Sequence, residues 1–172
     1  MQETPAQYRQ RILGNLQGQD PMKIQAATPG RLAKALRGAT KQRLSRKPAP
    51  GKWSVNEILA HLSETEIVVG WRMRAITGAP GTSIQAYDQD AWAAAGNYAR
   101  RDAKKSLALY RAVREANLEW LRRLRPEQWR LSGMHAERGE ESIETIVNMI
   151  AGHDLNHLRQ VESLLSAPRS RK

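Results

Sequence analysis

From Ile143 to Leu164 apolar residues recur at helical spacing, and two histidines recur with them. Ile143, Ile146, Ile150, His153, His157, Val161 and Leu164 fall on one stripe, which predicts a long helix with one buried face. Ser142 stands just before it, where a hydroxyl can cap the first turn. His153 and His157 are four apart, so their rings lie one turn apart on that face. Two imidazole nitrogens so placed can share a tetrahedral or octahedral metal ion.

A second stripe is as clear. Ser54-Val55-Asn56-Glu57 is a capping box, in which the serine hydroxyl caps an early N–H and the glutamate reaches back. The helix it opens carries Ile58, Leu62, Thr65, Val69, Met73 and Ile76 on one face, with His61 among them, and Gly78 and Pro80 end it. A third helix runs from Ala103 to about Leu124, capped by Asp102. Leu107, Tyr110, Leu121 and Leu124 mark its buried face, and Arg114 and Asn117 fall there too, which is unusual for such polar groups.

The N-terminal part is more broken. Pro5 to Leu16 has Tyr8, Ile12, Leu13 and Leu16 at helical spacing, and Gly18 stops it. Asp20-Pro21 restarts a helix. Thr28-Pro29 repeats that signal before Leu32, Ala35 and Leu36, and the run ends near Gly38. Asp88 caps a short helix near Trp92, between the second and third bundle helices. Residues 40–52, 79–88 and the polar stretch through His135 to Glu141 read as loops, and Pro126 starts a turn containing Trp129. No segment alternates with period two, so no strand is expected. The expectation is an all-α chain, a mainly antiparallel four-helix bundle with a broken first helix. It would be one domain over residues 1–172, with a core over about 5–166 and a basic tail over 167–172.

Composition removes several classes. There is no cysteine, which excludes disulfides, thiolate ligands and cysteine nucleophiles supplied by the chain. The start, MQETPAQYRQ, has no apolar signal core, and no apolar run is long enough to span a bilayer. The expected location is cytoplasmic, with no membrane partner. The formal net charge is +11, from 28 Lys and Arg against 17 Asp and Glu. That balance invites an anionic partner. The basic residues are spread along the chain with no phenylalanine and no nucleic-acid motif, so a solvated surface is the preferred reading over nucleic-acid binding.

Burying three imidazoles with no shared partner would leave several unmet polar groups, each costing about 1–3 kcal/mol. One metal ion would satisfy them together, although a single histidine on an apolar face is usually a hydrogen-bonded core residue. Gln160 and Glu57 are candidates to orient a ligating imidazole. The capping box already accounts for Glu57. Asp154 lies about 100° around the helix from His153 and is not a candidate ligand. His135 could help at the mouth of the site; a surface loop position is its commoner alternative. Arg114 and Asn117 could face the cavity or form a buried structural pair.

The run GKWSVNEILAHLSETE, followed by GHDLNHLRQVE, closely resembles the DinB-like, YfiT-like family of metal-binding four-helix proteins. The likeness spans about Tyr8 to Leu165 and includes TPGRL, YDQDAW and HAERGEES. The resemblance implies one divalent metal held by His61, His153 and His157, with zinc or nickel ahead of iron or manganese. It implies a small-molecule substrate. Similar proteins include metal-dependent transferases that use thiols such as bacillithiol and mycothiol, and others named as metal-dependent hydrolases. HDLNH lacks the glutamate of His-Glu-x-x-His, which favours transfer of a low-molecular-weight thiol cosubstrate over hydrolysis by hydroxide formed at the metal. A non-enzymatic, stress-related metal-binding protein, dimeric through its apolar helix faces, is the further alternative.

Overall fold

Ser54 opens the helix that carries the first histidine. Its backbone N–H donates to Glu57 Oε2 at 2.8 Å, and its hydroxyl accepts from the Glu57 N–H. In the computed structural model, which describes residues 3–166, that helix is α4, Val55–Gly78. The other elements are α1 (Pro5–Gly14), α2 (Pro21–Ala35), α3 (Lys41–Ser45), β1 (Ser83–Ile84), α5 (Gln89–Ala95), α6 (Ala103–Arg122), β2 (Ser132–His135), β3 (Gly139–Ser142) and α7 (Ile143–Ser166). Short 3-10 turns cover Tyr98–Arg100 and Pro126–Arg130. The expected basic tail, residues 167–172, lies outside the described residues. Among them, no helix is long and apolar enough to cross a membrane.

The long helices α2, α4, α6 and α7 make the four-helix bundle, with α4 and α2 each packed against α6 and α7. The first bundle helix is indeed broken, but in one place. Gln17 and Gly18 take positive φ after α1, and Asp20 then caps α2 by accepting from Met22 and Lys23 N–H groups. Thr28-Pro29 does not restart the chain, contrary to expectation: α2 runs through it. Pro29 has no N–H for the Gln25 carbonyl. Arg114 Nη1 donates to that oxygen instead, at 3.1 Å. The Thr28 hydroxyl turns back to Ile24 O. Tertiary contact thus replaces the bond that proline deletes.

Two other segments expected as loops are ordered. Thr40 caps the five-residue α3. The stretch around His135 is a hairpin, with β2 antiparallel to β3 and β1 added parallel to β2, so that Ile84 pairs with His135. The strands have two to four residues. Their inward positions include Gly133, His135 and Glu141, which are not apolar side chains, so hydropathy alternation never develops.

The core has two apolar halves. One gathers Leu32, Ile58, Leu62, Leu107, Leu158 and Val161. The other gathers Val69, Ile76, Leu118, Leu121, Ile146 and Ile150. Between them, α4, α6 and α7 each present buried polar groups: Thr65 and Glu66, Arg114 and Asn117, His153 and Asp154. The three candidate histidines sit in or beside this middle layer.

Candidate metal centre

α4 supplies His61 to the middle layer and α7 supplies His153 and His157, with all three rings at least nine-tenths buried. His61 Nε2 lies 2.9 Å from His153 Nε2, which lies 3.0 Å from His157 Nε2. One ring nitrogen from each falls within 4.8 Å of the others. The Trp53 ring packs on His61 with centroids 4.9 Å apart.

The protonation of this cluster follows from its surroundings. Burial pushes the His61 and His153 rings well below their ordinary value, and the neighbouring histidines push the same way. Burial brings His157 down to about 4, against a contrary pull from its bond to Gln160. Neutral rings are therefore the stable form near neutrality. His157 Nδ1 lies 2.8 Å from Gln160 Oε1. The amide oxygen only accepts, so Nδ1 carries the hydrogen and Nε2 is bare. Neutral nitrogens converging this closely cannot all satisfy one another by hydrogen bonds. A cation is the partner that three imidazole donors fit, and this set could hold one.

The other sequence candidates divide cleanly. Gln160 contacts a ring of the cluster. Glu57 does not orient His61: its carboxylate goes to Ser54 and to Lys47 Nζ at 2.8 Å. Asp154 faces away from the histidines. It accepts from Tyr110 at 2.9 Å and from Arg114, whose other nitrogen bonds Glu66 at 2.7 Å. Asn117 completes this group by donating to Glu66 Oε1. Arg114 and Asn117 are thus a buried structural pair. Burial opposes the Arg114 charge, but Asp154, Tyr110 and Glu66 outweigh it and hold its pKa well above the ordinary value.

A cavity of about 660 Å³ opens beside the cluster, with His61 and His153 in its lining. His135 lies on its wall, 3% exposed, and is not the surface-loop residue that was the commoner expectation. Thr65 bridges the two regions: its hydroxyl is 3.5 Å from His61 Nε2 and 3.0 Å from the Tyr87 hydroxyl. Sequence reasoning passed over Tyr8, Trp53, Tyr87 and Arg72 as site residues. Only Arg72 carried a usable signal, since it lies three residues after Val69 and four before Ile76, on the buried side of α4.

These features define a helical bundle with a buried three-imidazole donor set beside an open cavity. The DinB superfamily model matches residues 26–161, and the chain belongs to that superfamily. It is 23% identical over 136 residues to an Oceanobacillus iheyensis protein named "Putative metal-dependent hydrolase OB0413", covering 79% of this chain and 78% of the relative. YfiT of Bacillus subtilis, named in the same terms, is 23% identical over 137 residues, or 79% of this chain and 77% of YfiT. The structure of YfiT is described as that of a "probable metal-dependent hydrolase with an unusual four-helix bundle topology". It superposes with a TM-score of 0.79 at 21% identity, covering 84% of this chain and 83% of YfiT. That likeness establishes the shared bundle fold. The metal-dependent relatives and the buried histidine cluster together point to a metal ion.

Proposed function

We propose that the chain is a metal-dependent enzyme in which His61, His153 and His157 hold one divalent ion. Zinc and nickel suit three imidazoles best, with iron and manganese after them. The convergence of three neutral Nε2 atoms beside an open cavity is the observation that carries this reading. Held by these three neutral imidazoles, a divalent ion would supply Lewis acidity that lowers the pKa of a water or thiol at the site. The protein's own contributions are local. Gln160 holds the His157 tautomer. Trp53 covers His61, and the Thr65 and Tyr87 hydroxyls stand ready to hydrogen-bond a substrate beside the cluster.

The reaction we favour is transfer of a low-molecular-weight thiol to an electrophile. Among the described residues, no carboxylate joins the three imidazoles to act as a base beside them. A thiol ionises more readily than water and so depends less on such a base. The chain has no cysteine, so the thiol must be a cosubstrate, with bacillithiol and mycothiol as the first compounds to try. The thiol gives its proton to solvent water, sulfur bonds to the electrophilic carbon, and the leaving group departs with the electron pair of its bond to that carbon and is protonated from solvent. Hydrolysis is the second reading, favoured by the names of the relatives, with water in place of the thiol.

The test measures bound metal in the purified protein, then turnover with bacillithiol, mycothiol, glutathione and coenzyme A against a model electrophile, with and without chelator. Metal-dependent thiol consumption is expected. Metal-dependent ester or amide hydrolysis without thiol consumption would put the second reading first. Neither reaction in fully loaded protein would leave a binding role.

A further inference from the structure

Among the described residues, one buried guanidinium on the cavity wall has no carboxylate partner and one buried imidazole nitrogen has no partner at all. Arg72 is 6% exposed and lines the cavity, yet no carboxylate lies within ion-pair distance of it among the described residues. Its guanidinium donates to the Gln85 carbonyl and lies 5.7 Å from the Tyr87 ring centroid. Arg138, the other guanidinium of the lining, is held bidentately by Glu141 at 2.6 and 2.9 Å. His135 accepts the Glu137 N–H at its Nδ1, at 3.2 Å. The neutral ring therefore carries its hydrogen on Nε2, and that buried atom has no hydrogen-bond partner among the described residues. Topology keeps the two donors near each other: Gln85, which Arg72 bonds, follows Ile84, and Ile84 pairs with His135 across β1 and β2. The ring also responds to its neighbours: burial and then the Arg138 charge lower its basicity, Glu141 opposes them, and Arg72 lowers it further.

We propose that Arg72 and the Nε2–H of His135 form a subsite for the carboxylate of a small monoanionic substrate. The substrate's reactive end then reaches the three imidazoles. That second half rests on the metal-dependent reading above; the subsite itself does not. A buried guanidinium beside a neutral N–H donor suits a carboxylate, which accepts from both. A more highly charged anion is disfavoured, because the lining also carries Glu3, Asp88, Asp90, Glu137 and Glu141. Val69, Ile146, Met149 and Ile150 line the same cavity. They favour an apolar body between the carboxylate and the reactive end.

The experiment is an NMR titration of the full chain with imidazole nitrogens labelled, in metal-free and zinc-loaded forms. Propionate, propionamide and inorganic phosphate are the probes. Propionate should shift the His135 Nε2 signal saturably in both forms, propionamide should not, and phosphate should bind more weakly than propionate. Arg72→Gln should weaken propionate at least about tenfold, the scale of one lost charge-assisted hydrogen bond. Should that variant not fold, Arg72→Lys carries the test, keeping the charge without the fork and losing affinity several-fold. No saturable shift, equal binding of propionamide, tighter phosphate, or unweakened variants would overturn the subsite. Propionate binding only with zinc present would assign the carboxylate to the metal and overturn the subsite while leaving the metal reading intact. Propionate binding in a protein that retains no metal would do the reverse.

Discussion

Gln160 decides which nitrogen of His157 is bare. With the amide oxygen accepting from Nδ1–H, the lone pair at Nε2 faces the other two rings. Gln160→Leu should therefore weaken metal binding by roughly 10–100-fold, the range for loss of a partner that orients a ligand. His157→Ala should abolish most of it, with helicity by circular dichroism nearly unchanged. Competition titration against a chromophoric chelator reads both, and full occupancy in the His157 variant would end the assignment. Arg114 has the opposite character. It neutralises Asp154 and part of Glu66 in a layer where all three are buried. Arg114→Ala leaves two carboxylates without their cation and should destabilise the fold by about 3–5 kcal/mol, read by urea denaturation. Retention of near wild-type stability would mean that this group of contacts is not what holds the middle layer together.

At the level of elements, α1 approaches α7 through a single missing side chain. A Cβ on Gly152 would lie 2.1 Å from the Ile12 carbonyl oxygen, and Asn15 Nδ2 donates to the Gly152 carbonyl at 3.1 Å. The neighbour is backbone and cannot swing aside. Gly152→Ala should push α1 off α7, costing at least the ~1–3 kcal/mol of an overpacked core. Amides of α1 should then lose hydrogen-exchange protection before those of α4 and α7; unchanged protection in α1 would refute the close-packing argument. The consequence reaches the cavity, because Tyr8 of α1 lines it. How far such features were readable from the chain differs by type. Long amphipathic runs and their caps at Ser54, Asp88, Asp102 and Ser142 were legible, because periodicity and capping are local. So was the placement of His61, His153 and His157 on buried stripes. The passage of α2 through Pro29 was not, since its compensation comes from Arg114, far along the chain. The hairpin was missed because its inward residues are Gly133, His135 and Glu141, which give no hydropathy alternation. Gly152 read as one more residue of HDLNH's own helix, with nothing local to mark a helix crossing there.

For the whole molecule, the histidine cluster couples stability to pH and, with a metal held there as proposed, to metal. In the unfolded chain an imidazole takes up its proton near pH 6.5, whereas in the fold His157 does so only near 4. Above about pH 6.5 neither state holds that proton, and the full stability is present. As pH falls from about 6.5 towards 4, the unfolded state gains a proton that the native state refuses, so stability is lost. His157 alone accounts for about 3 kcal/mol over that window, and His61 and His153, depressed by the same burial, add to it. Below about pH 4 the His157 contribution is level. A divalent ion bound only to the native state acts against this. At a free concentration 100 times its dissociation constant it adds about 2.7 kcal/mol. Protons compete for the same lone pairs, so that gain also shrinks as acid protonates the ligands. The native rings stay neutral down to about pH 4, so melting curves of metal-loaded and metal-free protein should stand apart from pH 7.5 down to about that pH and converge only below it. Removing the metal should lower Tm by a similar amount at pH 7.5 and at pH 5. Convergence already between pH 7 and 6 would show that the stabilising ion binds groups that titrate like exposed imidazoles and not the three buried rings.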